Sequence, residues 1–551
     1  EPQSYYSRLC SLSPIRMRFS STSMMRLPQL ISCTMLAQQG PSRQATMSLL
    51  GGGPPEPLTL AAMEFLDASP DPFHATAYLS RRLEEAGFAE LEERDPWSGS
   101  VKPGGKYYYV RDRSCLVAFS VGGAYEPGNG FKVLGAHTDS PNLKLKPRSK
   151  LGSKHGKANC LQLDVQCYGG GLWHTWFDRD LSISGRVFLR EGDGTVVQRL
   201  VKIKQPVLRV PNLAIHLQSA DEREAFKVNK EDHLQPIVAD SLLAYDLAKA
   251  AADALGGSEA ADAGAEGGDD AKPKEDTERP DATKPWEKAQ EPVLLRLLAA
   301  ELGVEVETIA DFELNLYDTQ AAAVGGAHGE YLYASRLDNL ASCFTATEAL
   351  VSHATSHLDA DTEVSLVALF DHEEVGSESA TGAGSPVMGD AVRRISTALS
   401  AGVGHEDLYA AALRRSFVFS VDMAHAVHPN YEAKHEKGHG PKMNQGIVIK
   451  SNANQRYAST GLTSFIVREI ARRAELPPPQ EFVVRNDCPC GSTIGPIISA
   501  GTGMRAVDLG MPQLSMHSVR EMQGVHDLGA AIKLFEGFLR HFRDIDEQVG
   551  A

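Results

Sequence analysis

From residue 330 onward, short apolar runs alternate with stretches of helical periodicity. "GEYLYAS" leads into "NLASCFTATEALVSH", and then come "EVSLVALF", "SFVFSVDMA", "TSFIVREIARRAEL", "EFVVRND" and "MRAVDLG". Alternation of this kind restricts a chain to a central mixed, mostly parallel sheet with helices on both faces, a three-layer α/β/α domain. The N-terminal side joins it, because "AAMEFLDASPDPFHATAYLSRRLEEAGF" has helical periodicity and "FKVLGAHTDSP" is a short apolar strand stopped by Pro141. Between about 155 and 215 strand patterns follow one another instead: "NCLQLDVQCYGG", "SGRVFLR" and "VVQRLVKI". At 551 residues the chain is too long for one simple core. The expected organisation is an α/β domain in two parts, 47–138 and 311–551, around an inserted β-rich domain at 139–310.

Two stretches fit neither domain. Residues 1–46 carry Arg8, Arg16, Arg18, Arg26 and Arg43, many serines and a single acid, Glu1. They are expected to be a disordered leader, although the composition also suits an organelle transit peptide. Residues 256–290 are rich in Ala, Gly, Asp, Glu, Lys and Pro. Such a segment buries too little apolar surface to offset its ordering entropy, so a disordered acidic insertion is expected.

Composition narrows the function. A net charge of −16 argues against nucleic acid as a partner. No apolar stretch approaches the roughly 18 residues of a membrane helix, so no membrane partner is expected. The 8 cysteines form no disulfide framework, and Cys488 and Cys490 make C-x-C rather than the C-x-x-C of zinc ribbons or thioredoxin-like sites. Reduced cysteines point to a cytoplasmic protein. "HEEVG" begins like the zinc motif H-E-x-x-H, but position 376 is Gly. Neither a phosphate-binding G-x-x-x-x-G-K-[ST] nor a dinucleotide fingerprint is present.

Chemistry gathers where strands end. His137 and Asp139 follow "FKVLGA", and Asp338 follows "YLYASRL". Asp371, His372, Glu373 and Glu374 follow "VSLVALF". Asp422 follows "FVFSV", with His425 and His428 close behind, and His517 follows "DLGMPQLSM". One such residue is ordinarily a cap or a solvated polar group. Five such segments are different, because a parallel sheet brings its strand ends to one edge, where ligands bind. Carboxylates crowded there repel unless cations neutralise them. Carboxylates with imidazoles and no suitable cysteine fit Zn²⁺, Mn²⁺ or Co²⁺.

Eight blocks, in order, resemble the aspartyl aminopeptidases: "GAHTDSPNLKLKP", "YGGGLWHTWFDRDLSISGRV", "SRLDNLAS", "DHEEVGS", "DMAHAVHPNY", "GIVIKSNANQRYAS", "NDCPCGSTIGPI" and "DLGMPQLSMHSVREM". The resemblance covers nearly everything from about residue 55 to the end, outside the 256–290 insertion. It implies a cytosolic di-zinc exopeptidase, assembled as a tetrahedral dodecamer through the inserted domain, that removes an unblocked N-terminal Asp or Glu from peptides. It implies one zinc on His137 and Asp422, another on Glu374 and His517, and Asp338 bridging both. Glu373 is implied as general base, and Asp139 as the group orienting His137. Chemistry agrees: two close divalent ions share an activated water, and a carboxylate on the far ring nitrogen fixes a ligating histidine. Asp139, two residues on, would share a strand face with His137.

An acidic substrate side chain in a partly buried pocket needs a local cation. Lys450 in "VIKSN" is the candidate, with Tyr457 in "QRYAS" as a further substrate contact. The resemblance also suggests that His216 in "VPNLAIHLQ" reaches a neighbouring subunit's site to bind the substrate carbonyl. His372, His425 and His428 are left as structural or supporting residues. Two rivals stay open: a di-metal aminopeptidase of broad specificity, which Lys450 argues against, and a catalytically silent scaffold, which the complete ligand set and Glu373 argue against. A binding module acting through the acidic insertion has only composition behind it.

Overall fold

The computed structural model describes residues 55–151, 158–244, 246–247, 285–400 and 405–550. The expected leader at 1–46 and most of the expected acidic insertion lie outside the described residues.

Apolar strand runs buried on both faces build a nine-stranded sheet. From edge to edge it runs β1 (Ala89–Glu90), β2 (Lys106–Arg111), β3 (Cys115–Val121), β13 (Val364–Phe370), β4 (Phe131–His137), β14 (Phe417–Val421), β18 (Arg505–Gly510), β16 (Val448–Ser451) and β17 (Gln480–Val483). The central strands β13, β4, β14 and β18 are mutually parallel. On β13, Val364, Leu366, Ala368 and Phe370 enter one core layer, while Val367 and Leu369 enter the other. One layer is formed with the helices Pro57–Ala68, Pro72–Glu85, Leu337–Ser356, Gly461–Arg473 and Val525–Val549. The opposite layer takes Val387–Leu399, His405–Arg415 and Ile494–Thr502. This is the expected three-layer α/β/α domain with a mixed central sheet.

A six-stranded, wholly antiparallel sheet follows the order β8 (Val196–Lys202), β7 (Leu181–Arg190), β10 (Ile309–Asp318), β5 (Asn142–Lys150), β6 (Cys160–Tyr168) and β9 (Ile237–Asp240). The helix Pro292–Leu302 packs Leu294, Leu295, Leu298 and Leu302 into its core. Two expected limits shift. The boundary at 310/311 falls inside β10, which pairs along its length with β7 and buries Ile309, Leu314 and Leu316 in this core, so the chain leaves the sheet after Asp318. The expected disordered stretch also ends earlier than 290. Trp286 packs its ring 5.2 Å from that of Phe312, and the buried Gln290 carbonyl accepts the backbone N–H and the hydroxyl of Ser149, at 3.1 and 2.7 Å. One aromatic and one satisfied amide anchor residues whose composition alone reads as disordered.

A third, small sheet has the order β11 (Ala323–Gly325), β12 (Tyr331–Ala334), β20 (Glu521–Gly524), β19 (Pro512–Leu514) and β15 (Ala424–His425). The run "GEYLYAS" is its β12, which joins this sheet rather than the central one, and strands of only two to four residues leave the sheet itself without a sequence pattern. It nevertheless sets the site: Asp338 follows β12, Asp422 precedes β15, and His517 lies between β19 and β20. No described helix is long and apolar enough to cross a membrane, and the six described cysteines are free.

The sheets meet closely at Gly510, the last residue of β18. A Cβ there would overlap the main-chain carbonyl oxygen of Asp422 and sit 2.6 Å from its carbonyl carbon. Overpacking of this kind costs about 1–3 kcal/mol. Gly510→Ala is therefore expected to lower the unfolding midpoint measurably in a thermal melt, and to weaken whatever Asp422 binds.

Candidate metal centre

Three adjacent parallel strands deliver the first residues. His137 ends β4, Asp422 follows β14, and Glu373 and Glu374 sit on a tight turn after β13. That turn opens at His372 and closes at Gly376, both in the left-handed region (φ 62° and 101°). Asp338 enters at the start of the helix Leu337–Ser356, and His517 comes from the turn before β20. Five segments remote in sequence thus converge, as the strand-end reading anticipates.

The distances divide the cluster. Asp338 Oδ1 lies 3.4 Å from His137 Nε2, and Asp338 Oδ2 lies 3.5 Å from His517 Nε2. His137 Nε2 is also 3.4 Å from Asp422 Oδ1, and His517 Nε2 is 3.4 Å from Glu374 Oε1. Asp338 Oδ1 and Glu374 Oε1 are buried without a hydrogen-bond partner. Hydrogen bonds between such groups are shorter, about 2.7–3.2 Å. Two ligands on a tetrahedral zinc with bonds of roughly 2.0–2.1 Å stand about 3.3 Å apart. Ring orientation agrees. His137 Nδ1 is 3.0 Å from the Asp139 carbonyl oxygen, and His517 Nδ1 is 3.1 Å from the Gly170 carbonyl oxygen. Each Nδ1 therefore donates its proton to backbone, and each Nε2 offers a lone pair toward the carboxylates. His137, Asp338 and Glu374 also place ligand atoms within 4.8 Å of one another. The donor set fits a divalent metal.

Asp139 lies against His137, as the expected orienting group would, and supports the centre in a second way. It lies beyond the end of β4, and it meets His137 chiefly through its main-chain carbonyl, its Oδ1 being 3.4 Å from Nδ1. Its carboxylate also accepts the backbone N–H groups of Glu373 (3.1 Å) and Glu374 (3.0 Å) and the hydroxyl of Tyr168 (2.7 Å). Tyr168 was not legible as a site residue, although it opens the "YGGGLWHT" block. Nor was Glu521, which accepts the backbone N–H groups of Asp338 (3.0 Å) and His517 (2.7 Å). Its only sequence signal is a position four residues after His517.

Lys450 is 2 % exposed. Its ammonium donates to Asp422 Oδ2 and to the Met423 carbonyl, both at 3.2 Å, and lies 5.2 Å from the centroid of the Tyr457 ring. Tyr457 is buried, and burial together with the nearby Cys490 thiol holds its hydroxyl well above its usual range. His216 is not brought to this cluster. It sits on an exposed turn, Ile215–Leu217, of the six-stranded-sheet domain.

The protein groups perturb one another strongly. Burial, then the charges of Asp422, Asp139 and Asp338, push Glu373 up to about 8 against the opposing pull of His137. Burial and the Asp338 charge push Glu374 well up. Burial disfavours the His517 cation, but its contact with Asp338 and the charge of Glu374 prevail and raise it to about 10. These groups act in one direction on stability. Glu373 starts from 4.5 and His517 from 6.5 in the unfolded chain. Between those values and their folded ones the native state holds more protons, so stability falls as pH rises from about 5 to 9. A bound divalent ion replaces those protons. The thermal stabilisation gained on adding zinc to chelator-stripped protein is therefore expected to grow from pH 5 to pH 9, as paired melting curves would record.

The wider comparisons converge on the same chemistry. The family model described as "Aminopeptidase I zinc metalloprotease (M18)" matches residues 65–539. The aspartyl aminopeptidase of Aspergillus oryzae is 47% identical over 498 residues, covering 88% of this chain and 96% of that protein. That of Dictyostelium discoideum is 44% identical over 488 residues, with coverage of 88% and 96%. Among solved structures, a chain of the Ape4 and Nbr1 complex superposes with a TM-score of 0.78 at 39% identity, covering 93% of this chain and 89% of that one. The S. cerevisiae mApe1 dodecamer gives 0.73 at 28% identity, with coverage of 90% and 99%. With its histidines and carboxylates set for a divalent ion at the sheet's edge, the chain belongs to the M18 zinc metalloproteases, among the aspartyl aminopeptidases, and is a metallo-exopeptidase.

Proposed function

We propose that the protein removes an unblocked N-terminal Asp or Glu from peptides and holds two zinc ions per subunit, for which Mn²⁺ or Co²⁺ can substitute. The observation that carries this reading is the division of Asp338, one oxygen toward His137 and the other toward His517. His137 and Asp422 would hold one ion, Glu374 and His517 the other, with Asp338 shared. Ions bound there supply Lewis acidity toward the scissile carbonyl and an activated water.

The chain's own groups do the rest. Glu373 Oε2 stands 3.8 Å from His137 Nε2, beside the ligands and outside the pairing that engages Glu374. A carboxylate beside the ion ligands but not paired with them is suited to take a proton and return it to the leaving amine. Asp139 fixes the backbone of the turn that carries Glu373, which holds that carboxylate at its station. Lys450 supplies fixed positive charge, and the one N–H of its ammonium not engaged by Asp422 or Met423 can meet a substrate carboxylate. Tyr457 lies along the same wall. The family names of the relatives support acidic specificity.

His216 would act from one subunit on another's site. Its turn leaves Leu213, Ile215 and Leu217 exposed at 49%, 61% and 72%, which suits burial between subunits. A homo-oligomer, a tetrahedral dodecamer in the cytoplasm, is the assembly proposed, in line with the dodecamer of mApe1. The pairing of Lys450 with Asp422 favours a second reading, a broad-specificity aminopeptidase in which Lys450 only offsets its neighbour's charge.

Hydrolysis of matched aminoacyl amides bearing N-terminal Asp, Glu, Ala, Leu or Lys separates the two readings. The zinc-loaded oligomer is expected to prefer Asp and Glu, and equal or faster cleavage of Leu would favour the second. Glu373→Gln is expected to lower kcat by about 10²–10⁴-fold while zinc content stays unchanged. His216→Ala removes one hydrogen bond to the substrate carbonyl, about 0.5–1.5 kcal/mol, so kcat/KM is expected to fall roughly 2- to 10-fold in an intact oligomer.

A further inference from the structure

Glu521 is a buried carboxylate at the centre to which neither the strand-end pattern nor the family resemblance gives a part. It is 2 % exposed and opens β20, paired with Ala334 at the end of β12. Its Oε2 accepts the backbone N–H of Asp338 at 3.0 Å, and its Oε1 accepts that of His517 at 2.7 Å. These two residues come from segments 179 positions apart, and both face the same ion in the arrangement proposed above. The turn that carries His517 is tight, with Ser515 and His517 both at positive φ (60° and 65°). A left-handed histidine in an irregular turn is poorly fixed by its own backbone, so a side-chain anchor on its N–H matters.

Asp139 shows the same device on the other side of the centre, accepting the adjacent backbone N–H groups of Glu373 and Glu374. Between them, two carboxylates grip the main chain of four residues that face the centre. A charged carboxylate is suited to this work, because it presents an acceptor at each end and its bonds to N–H are charge-assisted. An amide has one acceptor and would turn an N–H₂ toward the second backbone N–H.

We infer that Glu521 is a positioning residue, which sets the separation of Asp338 and His517 by holding both backbones from one side chain and thereby tunes the affinity of the centre for its ion. The inference rests on the zinc-centre reading. It needs a control that separates positioning from general stability, and Asp527 provides one. Asp527 is fully buried and accepts the backbone N–H groups of Asn444 (2.7 Å) and Gly446 (2.8 Å), a segment without a candidate ligand. Asp527→Asn therefore repeats the carboxylate-to-amide change on a two-point clamp outside the centre.

The experiment is zinc binding by chelator competition on the full-length oligomer, for the wild type, Glu521→Gln, Glu521→Asp and Asp527→Asn, with kcat and KM then taken at saturating zinc. Glu521→Gln is expected to weaken zinc binding about 10–100-fold, the usual scale for groups that orient ligands. Asp527→Asn is expected to stay within about twofold of wild type. At saturating zinc, Glu521→Gln should lower kcat with KM little changed. If Glu521→Gln fails to assemble, Glu521→Asp carries the test: it keeps the charge, is one methylene too short to reach both N–H groups, and should show an intermediate loss of affinity. Unchanged zinc affinity in the Glu521 variants overturns the inference while leaving the zinc reading intact. So does an equal loss in Asp527→Asn. A wild type that binds no zinc overturns the zinc reading itself, and the inference with it.

Discussion

Asp338 offers one carboxylate oxygen to each of two histidines, His137 and His517, that stand 380 positions apart in sequence. Around this one group stand Asp139, Glu373, Glu374, Asp422 and Glu521, a density of negative charge that folding alone would oppose. The rest of the catalytic domain can be understood as the means of holding these groups together. Parallel strands bring His137, Asp422 and the Glu373–Glu374 turn to one edge. The small third sheet brings Asp338 and His517 up to face them. Zinc chemistry then converts repulsion into cohesion, because the ligands that repel one another attract the same ions. This links stability to function: what makes the metal-free site costly is what makes the metal-bound site reactive.

The six-stranded sheet contributes more than bulk. Its loop after β6 runs beside the centre, where Tyr168 donates to Asp139 and the Gly170 carbonyl fixes the proton of His517. Leu172 donates its backbone N–H to the His517 carbonyl, and Thr175 receives that of Val519. The glycines there allow the approach: at Gly169, with φ of 74°, a Cβ would press 3.2 Å from that of Glu374. The two domains therefore share the site at the level of single hydrogen bonds. A change in the second domain that shifts this loop changes the orientation of a ligand histidine in the first.

How much of this the sequence made legible depends on the range of the interaction involved. The alternation after residue 330 carried the three-layer fold, because long buried strands such as Val364–Phe370 repeat a pattern that no other arrangement satisfies. His137, Glu374 and Asp422 are legible because they lie at or just after the ends of parallel strands, where the sheet turns sequence position into spatial position, whereas Asp338 and His517 reach the same edge from the small third sheet. Glu521, Tyr168 and Gly170 were not visible. They act through backbone groups of residues far away in the chain, and a carboxylate that holds two N–H groups leaves no periodic signature. Asp139 is legible by its spacing from His137, whose Nδ1 it meets through its carbonyl at 3.0 Å and its Oδ1 at 3.4 Å; what the spacing does not show is that the strand ends before it and that its carboxylate also holds the next strand's loop. The boundary at 310 failed for a related reason, since a strand entering either sheet from that point reads alike until its partners are known.

Lys450 shows what net charge conceals. The chain carries −16 overall, yet beside the cluster of carboxylates and histidines it buries an ammonium almost completely. Asp422 and the Met423 carbonyl accept from it, and the face of Tyr457 lies beside it. The same Asp422 turns its other oxygen to the ligand shell of His137. One carboxylate thus joins the buried ammonium to the histidine of the candidate metal centre. In the proposed reading, an acidic substrate side chain drawing on Lys450 would compete with Asp422 for that charge and would leave Asp422 freer toward its ion. Under the proposed reading, specificity and metal affinity would draw on a single shared carboxylate, and a change at Asp422 would alter both.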